Sequence, residues 1–316
     1  MEAVNKNATK EAKDLLNYLH DVMGKHIITG QHTQTKPQEE LQLIKEQTGK
    51  LPALCGFELL AYSPNINYED MTPECKKEIV EARDTVETAY HWAQEMGGIV
   101  SFCWHWYSPV GGLDKSFYSE NTDFDPRKIL VEGTLERTKC FEDMDEIAKI
   151  LQGFQNKNIP ILWRPFHESE GTWFWWGSKG GKVAADLYRL MYDYFVNVME
   201  LDNLIWVWSS PTEESYPGDE YVDIVSWDIY VGKHEKTDYG KQFAALVKNT
   251  SRNKVVALTE CGVVPDIDML AKTKVPWSYY MTWSKEFCLG EEYNTFERQK
   301  AMYQSDYAIT LEEYKK

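Results

Sequence analysis

Eight short β-rich runs recur along this chain, each followed by a longer, charged segment. They are HIITGQ from His26, PALCGFE from Pro52, GIVSFCW from Gly98, IPILWRPF from Ile159, LIWVWS from Leu204, VDIVSW from Val222, KVVALTE from Lys254 and VPWSYYMTW from Val275. Parallel strands cannot be joined by tight turns and need crossover helices, so this alternation reads as βα units. Eight units match an α/β fold, a single (β/α)₈ TIM barrel, which takes about 250 residues or more. The whole of residues 1–316 is then one barrel domain. A miscount by one run would fit an open doubly wound sheet, so the pattern alone leaves closure open.

The segments between the runs carry helical spacing. Glu81 to Met96 puts Val86, Tyr90 and Ala93 on one face, and Asp143 to Phe154 does the same with Ile147, Leu151 and Phe154. Leu187, Leu190, Met191, Tyr194 and Val198 repeat similarly from Val183, and Glu292 to Ile309 predicts a last helix. An amphipathic helix at about 6–23 precedes the first strand. The stretch at about 106–139 reads as a long loop insertion bearing glycines and aromatics, and loops of that length in a compact domain are often functional.

Composition narrows the function. The formal net charge of −16 repels nucleic acid and anionic membranes, so neither is expected as a partner. The six cysteines show no CxxC spacing, which argues against a zinc or redox motif and for free thiols. There is no well-placed GxGxxG or phosphate-binding loop, so no cofactor is expected, and no metal. No transmembrane run appears, and MEAVNKNATK does not read as a secretory signal. The expected location is secreted if a signal has been removed, and otherwise cytoplasmic. Twelve Trp and nineteen Tyr supply flat faces on which sugar rings can stack, although much of this content must be core.

Barrel chemistry sits at the carboxyl ends of the strands. Reading those ends in order gives Gln31 and His32, Glu58, then Trp104, His105 and Trp106, then Arg164, His167 and Glu168. Trp208, Trp227, Asp228, Tyr230, Glu260 and Trp283 follow. Glu168 and Glu260 close strands four and seven, and paired carboxylates are what glycosidic hydrolysis needs. Each residue also has a bland reading. A lone Glu at a strand end is usually a cap or an ion-pair partner. Arg164 suits a buried carboxylate, whether structural or reactive. His105 and His167 fit half-buried histidines, or with Glu168 a metal set by residue type alone. Tyr230 either packs its ring or orients Glu260. Glu58 is a sugar contact or a structural partner, and Trp106 is counted with the substrate-facing aromatics. Trp173, Phe174, Trp175 and Trp176 cannot all face one core, so at least one lines or underlies the mouth.

At WRPFHESEGTWFWWG, residues 163–177, the sequence strongly resembles glycoside hydrolase family 26, most like its β-mannanases. SFCWHW at 101–106, SWDIY at 226–230 and LTECG at 258–262 join this motif, and the resemblance runs from HIITGQH at 26–32 to PWSYYMTW. It implies a single barrel that hydrolyses β-linked polysaccharide with retention. It makes Glu168 the acid/base and Glu260 the nucleophile. It brings His105 and His167 to the sugar at the cleaved bond, makes Trp173 an active-site wall and has Tyr230 bond the nucleophile. Arg164 and Trp283 fit the supporting wall. The implied partner is a β-mannan-type polysaccharide or oligosaccharide, cut internally at β-1,4 bonds in mannan, glucomannan or galactomannan. The alternatives are β-1,3-xylan or mixed-linkage β-glucan hydrolysis, or a non-catalytic sugar-binding barrel. Ser169-Glu170 departs from the Met-Asn or Ala-Asn pair often found there and puts a further charge beside the acid/base.

Overall fold

A computed structural model describes residues 1–34, 38–69 and 71–314. Eight parallel strands close on themselves: β1 Ile27–His32, β2 Leu54–Glu58, β3 Ile99–Cys103, β4 Ile161–Arg164, β5 Leu204–Ser209, β6 Ile224–Ile229, β7 Val255–Cys261 and β8 Tyr279–Thr282. β1 pairs with both β8 and β2, which settles closure in favour of the barrel. A short ninth strand, Ala308–Ile309, adds to β1 through Ile27↔Ala308 and Ile28↔Ile309.

Alternate residues of each strand face opposite sides. Ile28, Leu54, Ile99, Leu162, Ile205, Ile224 and Val255 fill the barrel together with Ala12, Leu15, Leu16, Leu19 and Val22 of α1, Lys10–Val22. That helix begins where Thr9 caps the Ala12 N–H, and its apolar face plugs the floor. The other strand faces pack outward against the helical layer. This layer includes α2 Glu39–Thr48, α3 Pro73–Ala82, α4 Thr85–His91, α5 Leu135–Gln155 and α6 Gly181–Asp193. It continues with α7 Gly240–Asn249, α8 Ile267–Thr273, α9 Phe296–Gln304 and α10 Leu311–Tyr314.

The helix read over Glu81–Met96 is in fact three pieces. α3 ends at Ala82, Asp84 takes a left-handed φ of 65°, and α4 runs on into a π-helical turn at Trp92–Met96. The insertion read as 106–139 ends sooner, because Thr134 caps the Arg137 N–H and α5 begins at Leu135.

One irregularity positions the site. Strict alternation on β7 sends Val255, Ala257 and Thr259 inward and would turn Glu260 outward. The β6–β7 register instead jumps from Trp227↔Leu258 to Asp228↔Glu260, and the β7–β8 register also shifts between Leu258 and Cys261. A bulge of this kind re-aims a side chain. Thr259 and Glu260 both reach the interior groups, while Cys261 rejoins the outer core.

Candidate active site

A cavity of about 390 Å³ opens at the carboxyl ends of the strands. Glu168, Glu260, His105, His167, Tyr230 and Trp283 line it, all of them named from the sequence. Single carboxylate oxygens of Glu168, Asp228 and Glu260 lie within 4.8 Å of one another. Glu168 sits just past β4 in a left-handed conformation, φ 55°, and its N–H donates to the Ser209 carbonyl at 2.9 Å. Such a φ is unfavourable for a non-glycine residue, so the surrounding bonds must hold it.

The two glutamates differ in their donors. Glu260 is 3% exposed and accepts from the Arg164 guanidinium and from the Tyr230 hydroxyl at 2.7 Å. Arg164 is fully buried and also donates to Asp228 at 2.8 Å, and Asp228 further accepts from Ser209 at 2.8 Å and Thr259 at 2.7 Å. Glu168 accepts from the Trp173 indole N–H at 2.7 Å. Burial pushes the Glu168 carboxyl up to about 7, with neighbouring Asp228 and Glu170 adding to it. Burial likewise pushes Glu260 up, against the pull of Arg164 and the Tyr230 hydrogen bond. Each carboxylate raises the other, so the pair titrates as a unit and holds one proton between its two steps.

Behind the cavity surface lies a second layer. Glu58 is buried and accepts from the Leu60 and His105 N–H groups, both at 2.8 Å, and from His105 Nδ1 at 2.5 Å. Burial opposes a charge on His105, but the Glu58 carboxylate wins and raises its pKa. His167 is held well below the usual range by burial, then by Arg164 and His105. The two Nε2 atoms are 3.3 Å apart, a geometry that suits a charged His105 donating to a neutral His167.

The aromatic run divides its duties. Trp173 is 45% exposed, Phe174 lines the cavity, and Trp175 and Trp176 are buried, donating to the Trp106 and His167 carbonyls at 2.7 and 2.8 Å. Trp283 stacks on His32 with ring centroids 3.9 Å apart.

Three sequence readings need correction. Trp106 is not on the cavity wall: it stacks on Trp104 and donates its indole N–H to buried Asp143 at 2.7 Å, so its apolar face is spent on the core. Glu58 and Arg164 also lie outside the lining, so of the roles open to them the structure has the carboxylate or guanidinium partner rather than the direct contact: they act through His105, Asp228 and Glu260. Sequence reasoning passed over Phe117, Tyr118 and Lys115, which reach the cavity from the insertion. Its length and aromatic content were the available signal. Asp228 was read at a strand end without a role, and nothing in the sequence announced its three donors.

By donor type, two clusters among the described residues could hold a cation: Glu168–Asp228–Glu260 and His32–Glu58–Cys103. In the first, Arg164 already supplies the positive charge to two members. In the second, the Cys103 thiol is 3.1 Å from Glu58, whose charge also serves His105. The set His105–His167–Glu168 is spoken for by the bonds of both histidines. The arrangement presents a carboxyl pair beside aromatic faces and hydrogen-bonding side chains.

The sequence profile of Glycosyl hydrolase family 26 matches residues 4–313. A mannan endo-1,4-β-mannosidase of Thermothelomyces thermophilus is 37% identical over 98% of this chain and 62% of its own length. Mannan endo-1,4-β-mannosidase A of Piromyces sp. is 33% identical over 98% of this chain and 50% of its own. The chain thus spans only half to three-fifths of these relatives. Among solved structures, the Podospora anserina GH26-CBM35 β-(1,4)-mannanase superposes with a TM-score of 0.87 at 35% identity, over 99% of this chain and 68% of that one. The β-mannanase from a symbiotic protist of the termite Reticulitermes speratus, complexed with gluco-manno-oligosaccharide, gives 0.86 at 30% identity over 99% and 97%.

Proposed function

The chain belongs to glycosyl hydrolase family 26, and from that premise we propose that it hydrolyses internal β-1,4-mannosidic bonds of mannan, glucomannan or galactomannan with retention of configuration. Residues 1–316 form the catalytic unit in this reading. The carrying observation is the carboxyl pair, with oxygens of Glu168 and Glu260 within 4.8 Å but unequal hydrogen bonding. Retaining enzymes hold their carboxyls about 5–5.5 Å apart, whereas inversion needs about 6.5–9.5 Å to admit a water.

Hydrogen bonds to a carboxylate favour its charged form. Glu260 has Arg164 and Tyr230, while Glu168 has only Trp173 among side chains, so the shared proton rests on Glu168. Glu260 attacks the anomeric carbon as Glu168 protonates the departing glycosidic oxygen, giving a glycosyl-enzyme ester. Glu168, now a base, takes a proton from water, whose oxygen bonds the anomeric carbon and releases Glu260. His105, His167, Trp173, Tyr230 and Trp283 bind and orient the sugar. The names of the relatives support mannan as the substrate.

Turnover of wild type, Glu168→Ala and Glu260→Ala on mannan, β-1,3-xylan and mixed-linkage glucan tests this. Each variant should lose about 10²–10⁴-fold or more on mannan. Wild-type rates in both would overturn the pair, and a preference for β-1,3-xylan would overturn the substrate alone. Binding of mannan without turnover by the wild type would make the barrel a sugar-binding module.

A further inference from the structure

On one side the cavity is bounded by a bridge of charges. Glu78 of α3 receives Lys115 from the β3–α5 loop at 2.7 Å and Lys285 from the loop after β8 at 3.6 Å, one lysine on each carboxylate oxygen. Lys285 also lies 3.6 Å from Glu81. We propose that Glu78, Lys115 and Lys285 form an end wall that sets where a bound sugar chain stops, making these three residues determinants of chain-length specificity. This rests on the β-mannan reading above and deepens it.

Three observations carry the inference. First, a second cavity of about 410 Å³ lies directly beyond, and the two cavities share these three side chains. The bridge therefore divides what would otherwise be one longer groove. Second, the aromatic faces end at the wall. Phe117, Tyr118, Phe174, Trp283 and Phe287 line the inner cavity, whereas beyond it the described lining is charged apart from Leu289. Third, Lys115 and Lys285 both take left-handed backbone, with φ of 52° and 55°, on two separate loops whose ammonium groups converge on one carboxylate. Side chains other than glycine rarely adopt that conformation, so each loop holds its lysine in an unfavourable turn at the place where it meets Glu78.

The chemistry fits a terminus. Lysine ammonium groups donate and carboxylate oxygens accept, so the wall can hydrogen-bond the free hydroxyls of a terminal sugar. A continuing chain would have to part an ion pair whose members are only 26–36% exposed.

Calorimetric binding of β-1,4-manno-oligosaccharides of increasing length is the test. It uses Glu168→Gln protein, with and without Glu78→Ala, and Lys115→Ala as a second wall variant. With the wall intact, affinity should rise with length and then break to a plateau. Without it the break should be lost, and oligosaccharides longer than the break should gain at least about threefold relative to the one at the break. The same break in all three proteins, or a smooth series with the wall intact, overturns the wall. Binding at no length overturns the mannan reading together with it. A break in binding combined with no turnover by protein with Glu168 intact leaves the wall standing and overturns the hydrolytic mechanism.

Discussion

Buried carboxyls in this barrel differ in what donates to them, and that difference separates anchors from reactive groups. Asp143 is 1% exposed and accepts from the Trp106 indole on one oxygen and from the Asn65 amide on the other, both at 2.7 Å. Burial nevertheless pushes it up to about 7. Its folded pKa is above the ordinary 3.8, so the folded chain holds a proton that the unfolded chain releases between those values. Stability from this group is then full below about 3.8 and is lost as pH rises through 7. Asp143→Asn has only one accepting oxygen, so one donor must face an NH₂ group. Urea unfolding should show a loss of about 1–3 kcal/mol, and a shallower fall in stability between pH 5 and 8 than in wild type. Trp106 shows the limit of reading single residues. A tryptophan at a strand end looks the same in sequence whether it faces sugar or an aspartate, and Asn65 and Asp143 lie far from it along the chain. Glu168, Glu260, His105, His167, Tyr230 and Trp283 were legible because strand ends converge in any barrel.

At the scale of elements, the strands were easier to read than the helices. All eight barrel strands lie within or beside the runs read from sequence, since buried parallel strands are dense in β-branched and aromatic residues. α2, α7, α8 and the part of α3 before Glu81 escaped notice, and Asp84 broke a helix that periodicity alone would have continued. The β7 bulge at Glu260 was equally silent, because one extra residue leaves the strand's composition unchanged. α1 was expected at about 6–23 and occupies Lys10–Val22, but only the structure shows what it covers. Leu16 and Leu19 are fully buried against barrel-filling side chains at the end opposite the carboxyl pair. Leu16→Ala should therefore cost about 2–5 kcal/mol. Thermal unfolding should register that loss while kcat on mannan stays near wild type at a temperature where both are folded. A drop in kcat comparable to that of a site variant would mean that the floor and the mouth are coupled.

Barrel closure is what brings Glu168 and Glu260 together at the scale of the whole molecule. Glu168 follows β4 and Glu260 lies on β7, and Arg164 spans the interior between Asp228 and Glu260. An open sheet with the same strands would leave those two strands three places apart with no enclosed mouth. Two consequences of the mechanism can be measured. Activity needs one proton on the pair. As pH falls, Glu260 is protonated and cannot attack. As pH rises, Glu168 loses the proton that the leaving oxygen requires. With both carboxyls raised by burial, Glu168 to about 7, kcat/KM should be bell-shaped, and its alkaline decline should fall near neutrality, at higher pH than two isolated surface carboxyls would give. Glu168→Gln should remove that alkaline limb from whatever activity survives. Carboxylate oxygens within 4.8 Å fit the shorter, retaining spacing better than the wider one that admits a water. Proton NMR of the first product formed should therefore show the β-anomer, with the α-anomer appearing only as the sugar mutarotates. An α-anomer at the earliest times would require the wider, inverting spacing. The carboxyl pair would then have to separate when substrate binds, a movement that the Arg164 bridge across the barrel opposes.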